Sequence, residues 1–108
     1  MPAAQSPDKY RVIVRERAWN DIRRARQWYE RRNPRAAAAF LLVIDNAVAT
    51  VSEAPLRWAE HAPGMRRLVL QGFPYSLLYR VVDMHVQILA VTHQRRRPDL
   101  WRRGPADP

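Results

Sequence analysis

The sequence predicts a two-layer α+β domain of order β-α-α-β-β-β, with an antiparallel sheet packed against an N-terminal helical hairpin. Three observations lead there. First, the stretch from Met65 to Trp101 holds three apolar runs of strand length, Arg66 to Leu70, Tyr75 to Val82 and Val86 to Thr92. Gln71-Gly72-Phe73-Pro74 and Asp83-Met84-His85 separate them, so they read as an antiparallel meander. Second, the residues between Ala18 and Val51 repeat their apolar positions at helical spacing, interrupted once by Asn33-Pro34. Third, a short period-2 segment precedes the helices.

Taken in order, residues 1–9 hold two prolines, a serine and small residues and are expected to form a disordered leader. Tyr10 to Arg15 places Tyr10, Val12 and Val14 on one face of a short strand and Arg11 and Arg15 on the other. Ile13 interrupts that polar face, which predicts some cover on both sides. In the first helix, Trp19, Ile22, Arg26 and Tyr29 form the predicted stripe, with Ala25 beside them. Asn33 is a good N-cap and Pro34 suits a first helical position, so a second helix starts here. Its predicted stripe is Ala37, Phe40, Leu41, Ile44, Val48 and Val51. Pro55 ends it, because proline disfavours helical geometry in the residue before it. With about two residues between them, the helices must fold back on each other. Leu56 to Gly64 has no clear period and reads as a loop. The domain is expected to span residues 10–103, with 104–108 a frayed tail.

The chain has 108 residues, the size of one domain, and no cysteine, which excludes disulfides and thiolate metal sites. The first residues lack an apolar signal-peptide core, and no run approaches the length of a membrane span. A cytoplasmic protein without membrane contact is expected. The formal net charge is +9, and every basic residue except Lys9 is arginine. Genome composition accounts for part of the arginine preference but not for so large a charge. Arginine forks suit phosphate and carboxylate, so nucleic acid and an acidic protein are both plausible partners.

Several chemistries are absent. No phosphate-binding glycine loop is present among only three glycines. His61, His85 and His93 lack metal-ligand spacing, so no metal or cofactor is expected. The serines sit in no nucleophile motif and the acids form no glycosidase pair. Any catalysis would use Arg, His and Tyr, a set suited to metal-free phosphodiester cleavage with His as acid or base and Arg on the developing charge. His93, followed by Arg95-Arg96-Arg97, is the obvious candidate, since neighbouring cations favour the neutral imidazole a base needs. A histidine that merely caps a strand end explains the same residue. Tyr75 and Tyr79, two apart, are as readily packed sheet residues as acids.

Read together, these features resemble the RelE/ParE superfamily of bacterial type II toxins, most closely its ParE-like branch. The resemblance covers roughly residues 10–103. It rests on the layout, on Asp21-Ile22 and Trp28-Tyr29 in the first helix, and on Phe40, Ile44 and Pro55 around the second. It rests further on Arg67-Leu68, Pro74-Tyr75 and Tyr79-Arg80-Val81, and on Ile88, Val91, His93, Arg97 and Trp101. A RelE-like fold is thereby implied, and with it a cognate antitoxin whose acidic, amphipathic C-terminal segment lies along the toxin in a hetero-oligomeric complex. Antitoxin contact is expected at Trp19, Arg23, Arg26 and Arg80. Target contact is expected at Arg66, Arg67, Arg95, Arg96, Arg97, Trp101 and Arg102.

RelE-like members cut mRNA on the ribosome with several basic residues on the sheet. Here Arg67 matches the first such position, but Val69, Ser76 and Gln94 fall where others stand, and Trp101 falls near the family's terminal tyrosine. Each lost charge-stabilising contact costs about 3 kcal/mol in the transition state. The resemblance therefore implies a non-catalytic toxin whose usual target is DNA gyrase. The alternative is a ribosome-dependent endoribonuclease using His93, Arg67 and Arg96.

Overall fold

A computed structural model of the chain describes residues 10–94. The expected leader and tail, the end of the expected domain, and Arg95, Arg96, Arg97, Trp101 and Arg102 lie outside the described residues. The elements are β1 (Arg11–Val14), α1 (Glu16–Arg32), α2 (Pro34–Glu53), a 3-10 turn (Pro55–Arg57), β2 (Glu60–Ala62), β3 (Met65–Val69), β4 (Tyr75–Val82) and β5 (His85–His93). The α+β architecture is the expected one: a helical hairpin packed on a sheet that contains the predicted meander.

The sheet differs from expectation in two respects. It has five strands in the order β1-β5-β4-β3-β2, because Glu60–Ala62, inside the predicted loop, pairs with the start of β3. It is also mixed, because β1 runs parallel to β5, with Val12 beside Val86 and Val14 beside Ile88. Parallel neighbours need a long crossover, and the hairpin together with the meander supplies it.

Asn33 alone separates the helices. Its N–H donates to the Tyr29 carbonyl, and its side chain accepts from Arg35 N–H at 3.1 Å, so one residue closes α1 and caps α2. The buried stripe of α1 is Ala18, Ile22 and Ala25, continued by half-buried Tyr29. It is rotated from the predicted one: Trp19 and Arg26 lie at its exposed margin. In α2 the buried residues are Ala37, Phe40, Ile44, Ala47 and Val51, whereas Leu41 is exposed and Val48 half-buried. By length and composition α2 could cross a membrane, but its apolar stripe is already packed in the core. Ile13 is also exposed, so β1 is covered on one face only.

The core lies between the helices and one sheet face, where Phe40, Leu77, Tyr79, Val86 and Ile88 are almost inaccessible. Tyr29, Phe40, Phe73 and Tyr75 form a run of ring contacts with centroids 5.2 to 5.6 Å apart at the end of the hairpin. The Tyr79 hydroxyl donates to the Pro55 carbonyl, and the Arg66 guanidinium donates to the Trp58 carbonyl. These bonds tie the segment after α2 to the sheet. Burial raises the Tyr79 phenol above its ordinary pKa, against the lowering effect of Arg66, so the hydroxyl remains a donor.

Candidate functional site: the sheet's outer face and the α1 flank

The side of each residue follows from strand pairing. Directly paired residues share a sheet face, and successive residues along a strand change face. Arg67 pairs with Leu78 and Val69 with Ser76, all on the face away from the core. A small apolar cluster of Met65, Leu78 and Ala90 lies on that same face. Arg67 and Val69 are exposed there, while Ser76 is buried. Two positions where RelE-like cleavage implies basic residues thus stand opposite each other, and they hold an aliphatic and a hydroxyl side chain.

His93 is elsewhere. Between Leu78–Ala90 and Tyr79–Ile88 the register slips by one residue, which leaves Leu89 as a β-bulge. The bulge reverses the alternation of β5, so that Val86, Ile88 and Val91 all reach the core. His93, paired with Tyr75, stays on the helix side, its ring edge-on to Tyr75 at 5.1 Å. His93 and Arg67 therefore point to opposite sides of the sheet, so the structure does not bring these two members of the expected catalytic set together.

The bulge also explains Asp21. β1 covers β5 only as far as Ile88, and beyond that α1 runs along the strand's edge. Val91 N–H, which no neighbouring strand receives, donates to Asp21 Oδ2 at 2.9 Å. Arg17 Nε approaches both carboxylate oxygens at 3.4 Å. Burial raises the Asp21 pKa above its ordinary value, against the opposing effects of the Val91 bond and of Arg17 and Arg24.

Two depressions open along this flank of α1. One, of ≈ 380 Å³, brings His93, Tyr75, Tyr29 and Trp28 together with Arg17, Asp21 and Arg24. The other, of ≈ 580 Å³, is rimmed by Arg15, Arg17 and Arg24 from the helix side and Arg80 from the sheet, over Met65, Leu89 and Ala90. Arg17 and Arg24 line both. An imidazole and two guanidiniums against aromatic walls suit an anionic group, whereas the second depression suits an anionic group attached to an apolar one. Among the described residues no group of three or more metal-ligating side chains is present.

The four residues expected at an antitoxin surface do not form one patch. Trp19, Arg23 and Arg26 follow the other flank of α1, where Arg23 bonds Asn20 and Arg26 pairs with Glu30. Arg80 lies on the outer sheet face, bonded to Gln87 at 2.8 Å. It lines one depression with Arg15, Arg17 and Arg24, whose only local signal in the sequence is the Arg17-to-Arg24 spacing of two helical turns. Of the expected target residues, Arg66 is occupied by the Trp58 carbonyl and by Glu60 at 3.9 Å.

A helical hairpin packed on a sheet is also the fold of solved toxin–antitoxin chains to which this one is similar. The family model described as the ParE toxin of the type II toxin–antitoxin system parDE matches residues 12–98, and the chain belongs to that family. Toxin RelE1 of Caulobacter vibrioides is 29% identical over 86 residues, covering 78% of this chain and 92% of the relative. Among solved structures, a chain of the chromosomal ParDE system of P. aeruginosa aligns with a TM-score of 0.71 at 22% identity, covering 80% of this chain and 97% of that one. A chain of the RelBE2 toxin–antitoxin complex of Mycobacterium tuberculosis aligns at 0.54 with 28% identity, covering 82% and 94%. Isolated E. coli RelE aligns at 0.57 with 18% identity, covering 87% and 94%. The protein is thus a toxin of the type II toxin–antitoxin class within the RelE/ParE superfamily.

Proposed function

We propose that this toxin acts by binding rather than by cutting, with DNA gyrase as its target and an acidic antitoxin as its inhibitor in the cytoplasm. One observation carries the reading. The outer sheet face has Val69 and Ser76 where RNA cleavage would call for cations, and His93 stands across the sheet from Arg67. Among the described residues, the outer face does not bring together the convergent charges that stabilise a cleavage transition state, while its exposed cations are available to recognise a protein surface.

The test is induction of the toxin without antitoxin, with translation and plasmid supercoiling followed separately. Supercoiling defects that precede any loss of translation are expected. A prompt halt of translation with normal supercoiling overturns the proposal. The second reading, a ribosome-dependent endoribonuclease, draws support from the cavity that His93 shares with Arg17 and Arg24. On that reading His93→Ala abolishes toxicity in a folded protein; on the first, it leaves growth inhibition intact.

A further inference from the structure

α2 is more apolar than the core requires. The helix is long and apolar enough to cross a membrane, yet only 33% of that stretch is buried. Ala37, Phe40, Ile44, Ala47 and Val51 fill the core, while Ala38, Ala39, Leu41, Leu42 and Ala49 are exposed. Leu42 is 64% exposed, the most of any large apolar side chain among the described residues. The outermost line of the helix runs Arg35, Ala39, Leu42, Asn46, Ala49 and Glu53, spaced alternately four and three apart. That is the spacing at which one helix meets another along a seam. The line is also self-complementary. Turned end for end at the level of Ile44, it places Arg35 on Glu53, Ala39 on Ala49 and Leu42 on Asn46.

The charges of α2 point the same way. Arg35 stands in its first turn and Glu53 in its last, with no acid in the first turn and no base in the last to offset them. Both oppose the helix dipole, which favours acids at the N-terminus and bases at the C-terminus. They lie about 27 Å apart along the axis and cannot reach each other within one chain. Neither forms an ion pair among the described residues. We propose that two copies of this chain pair antiparallel through α2, about a twofold axis at the level of Ile44. Arg35 of each copy then meets Glu53 of the other, so both ends are corrected at once. Ala39 and Ala49 let the helices approach closely, and the two Leu42 side chains pack diagonally across the axis.

Charge selects this occupant. The chain carries +9, so copies repel wherever their arginines face each other, but from Arg35 to Arg57 there is no further cation, only Asp45 and Glu53. For the same reason nucleic acid, an acidic protein or an anionic bilayer finds little to bind on this face. Because the hairpin covers the inner side of the sheet, pairing through α2 leaves both outer faces open and makes the dimer bivalent toward whatever they recognise.

The full-length chain is tested by sedimentation equilibrium. One helix per copy buries less than the roughly 800 Å² per partner of a standard interface, so a reversible dimer with a Kd on the order of 10–100 µM is expected. Leu42→Glu, checked for native circular dichroism, should weaken it about 30-fold. Arg35→Glu and Glu53→Arg should each weaken it about 10-fold by facing like charges at both ends, and the double swap Arg35→Glu/Glu53→Arg should restore it. The chain has no cysteine, so introduced ones report the register. On oxidation, a mixture of Ala39→Cys and Ala49→Cys chains should crosslink about 10-fold faster than either alone, because like positions lie about 15 Å apart along the seam. A chain that stays monomeric up to about 1 mM overturns the proposal. So does a dimer indifferent to Leu42→Glu, a double swap that regains nothing, or faster crosslinking between like positions. Monomers that instead gather on neutral lipid vesicles through Leu42 overturn it as well and make α2 a bilayer contact.

Discussion

The two faces of the sheet are built from the same strands, yet they are used in opposite ways. The face toward the helices buries Phe40, Leu77, Tyr79, Val86 and Ile88 among aromatic neighbours and is open only at its margin, in the depression beside His93. The outer face buries little beyond Met65, Leu78, Ala90 and Ser76, and exposes Arg67, Val69, Arg80 and Val82. The lesson is that stability resides on one side and recognition on the other, so substitutions should separate cleanly by face. The sharpest test on the inner side is Phe40→Ala. Phe40 is inaccessible and contacts Tyr29, Phe73 and Tyr75. Its truncation is expected to cost about 3–5 kcal/mol, a large share of the stability of a domain this size, as read by urea denaturation.

Asp21 marks the edge at which the two faces meet, and its role is separable from its charge. Asp21→Ala leaves Val91 N–H without its acceptor and should cost about 1–3 kcal/mol. Asp21→Asn keeps an acceptor for the same bond and removes a carboxylate that burial disfavours, so it should retain most of the stability. The pH dependence follows from the direction of the shift. A carboxyl whose pKa is raised on folding binds its proton more tightly in the folded state. Its protonated form therefore favours folding most fully below the ordinary value of 3.8, and that advantage is lost as pH rises through the higher folded value. Denaturation of wild type and Asp21→Asn across the carboxylate range should show wild type losing ground as pH rises, with the difference constant above the folded pKa. A difference that moves the other way would mean that Arg17 and Val91, rather than burial, govern the group.

What could be read from the chain divides along the same physical line. Asn33-Pro34, the meander and the helical periods are local signals, encoded in neighbouring residues, and they predict the elements correctly. β2 has three residues and no period, so it becomes a strand only because β3 lies beside it. The buried stripe of α1 is rotated away from Trp19 and Arg26 because small Ala18 and Ala25, beside Ile22, allow the closer approach. The bulge at Leu89 lies inside the unbroken apolar run Ile88 to Val91, where hydropathy carries no record of which way each side chain turns. Its consequence is the placement of His93, and no local pattern contains it. The larger depression is less legible still, because Arg15 and Arg80 meet only after α1 has docked along an edge that β1 leaves uncovered.

The smallest effect on folding belongs to the outer face, and there it is most informative about function. Arg67 is exposed, pairs across the strand with Leu78 and makes no hydrogen bond or ion pair among the described residues. Arg67→Ala should therefore change stability by less than about 0.5 kcal/mol. Its effect on growth arrest separates the two modes of action. If Arg67 is one rim contact in a protein interface, its loss weakens binding modestly, and stronger induction restores arrest. If it stabilises charge in a cleavage transition state, its loss slows each turnover by about 10²–10³-fold. Titrating the inducer against growth rate for wild type and Arg67→Ala measures the displacement of the two curves. A small shift with the same plateau is expected, and a lost plateau in a protein of unchanged melting would move the active surface from recognition to chemistry.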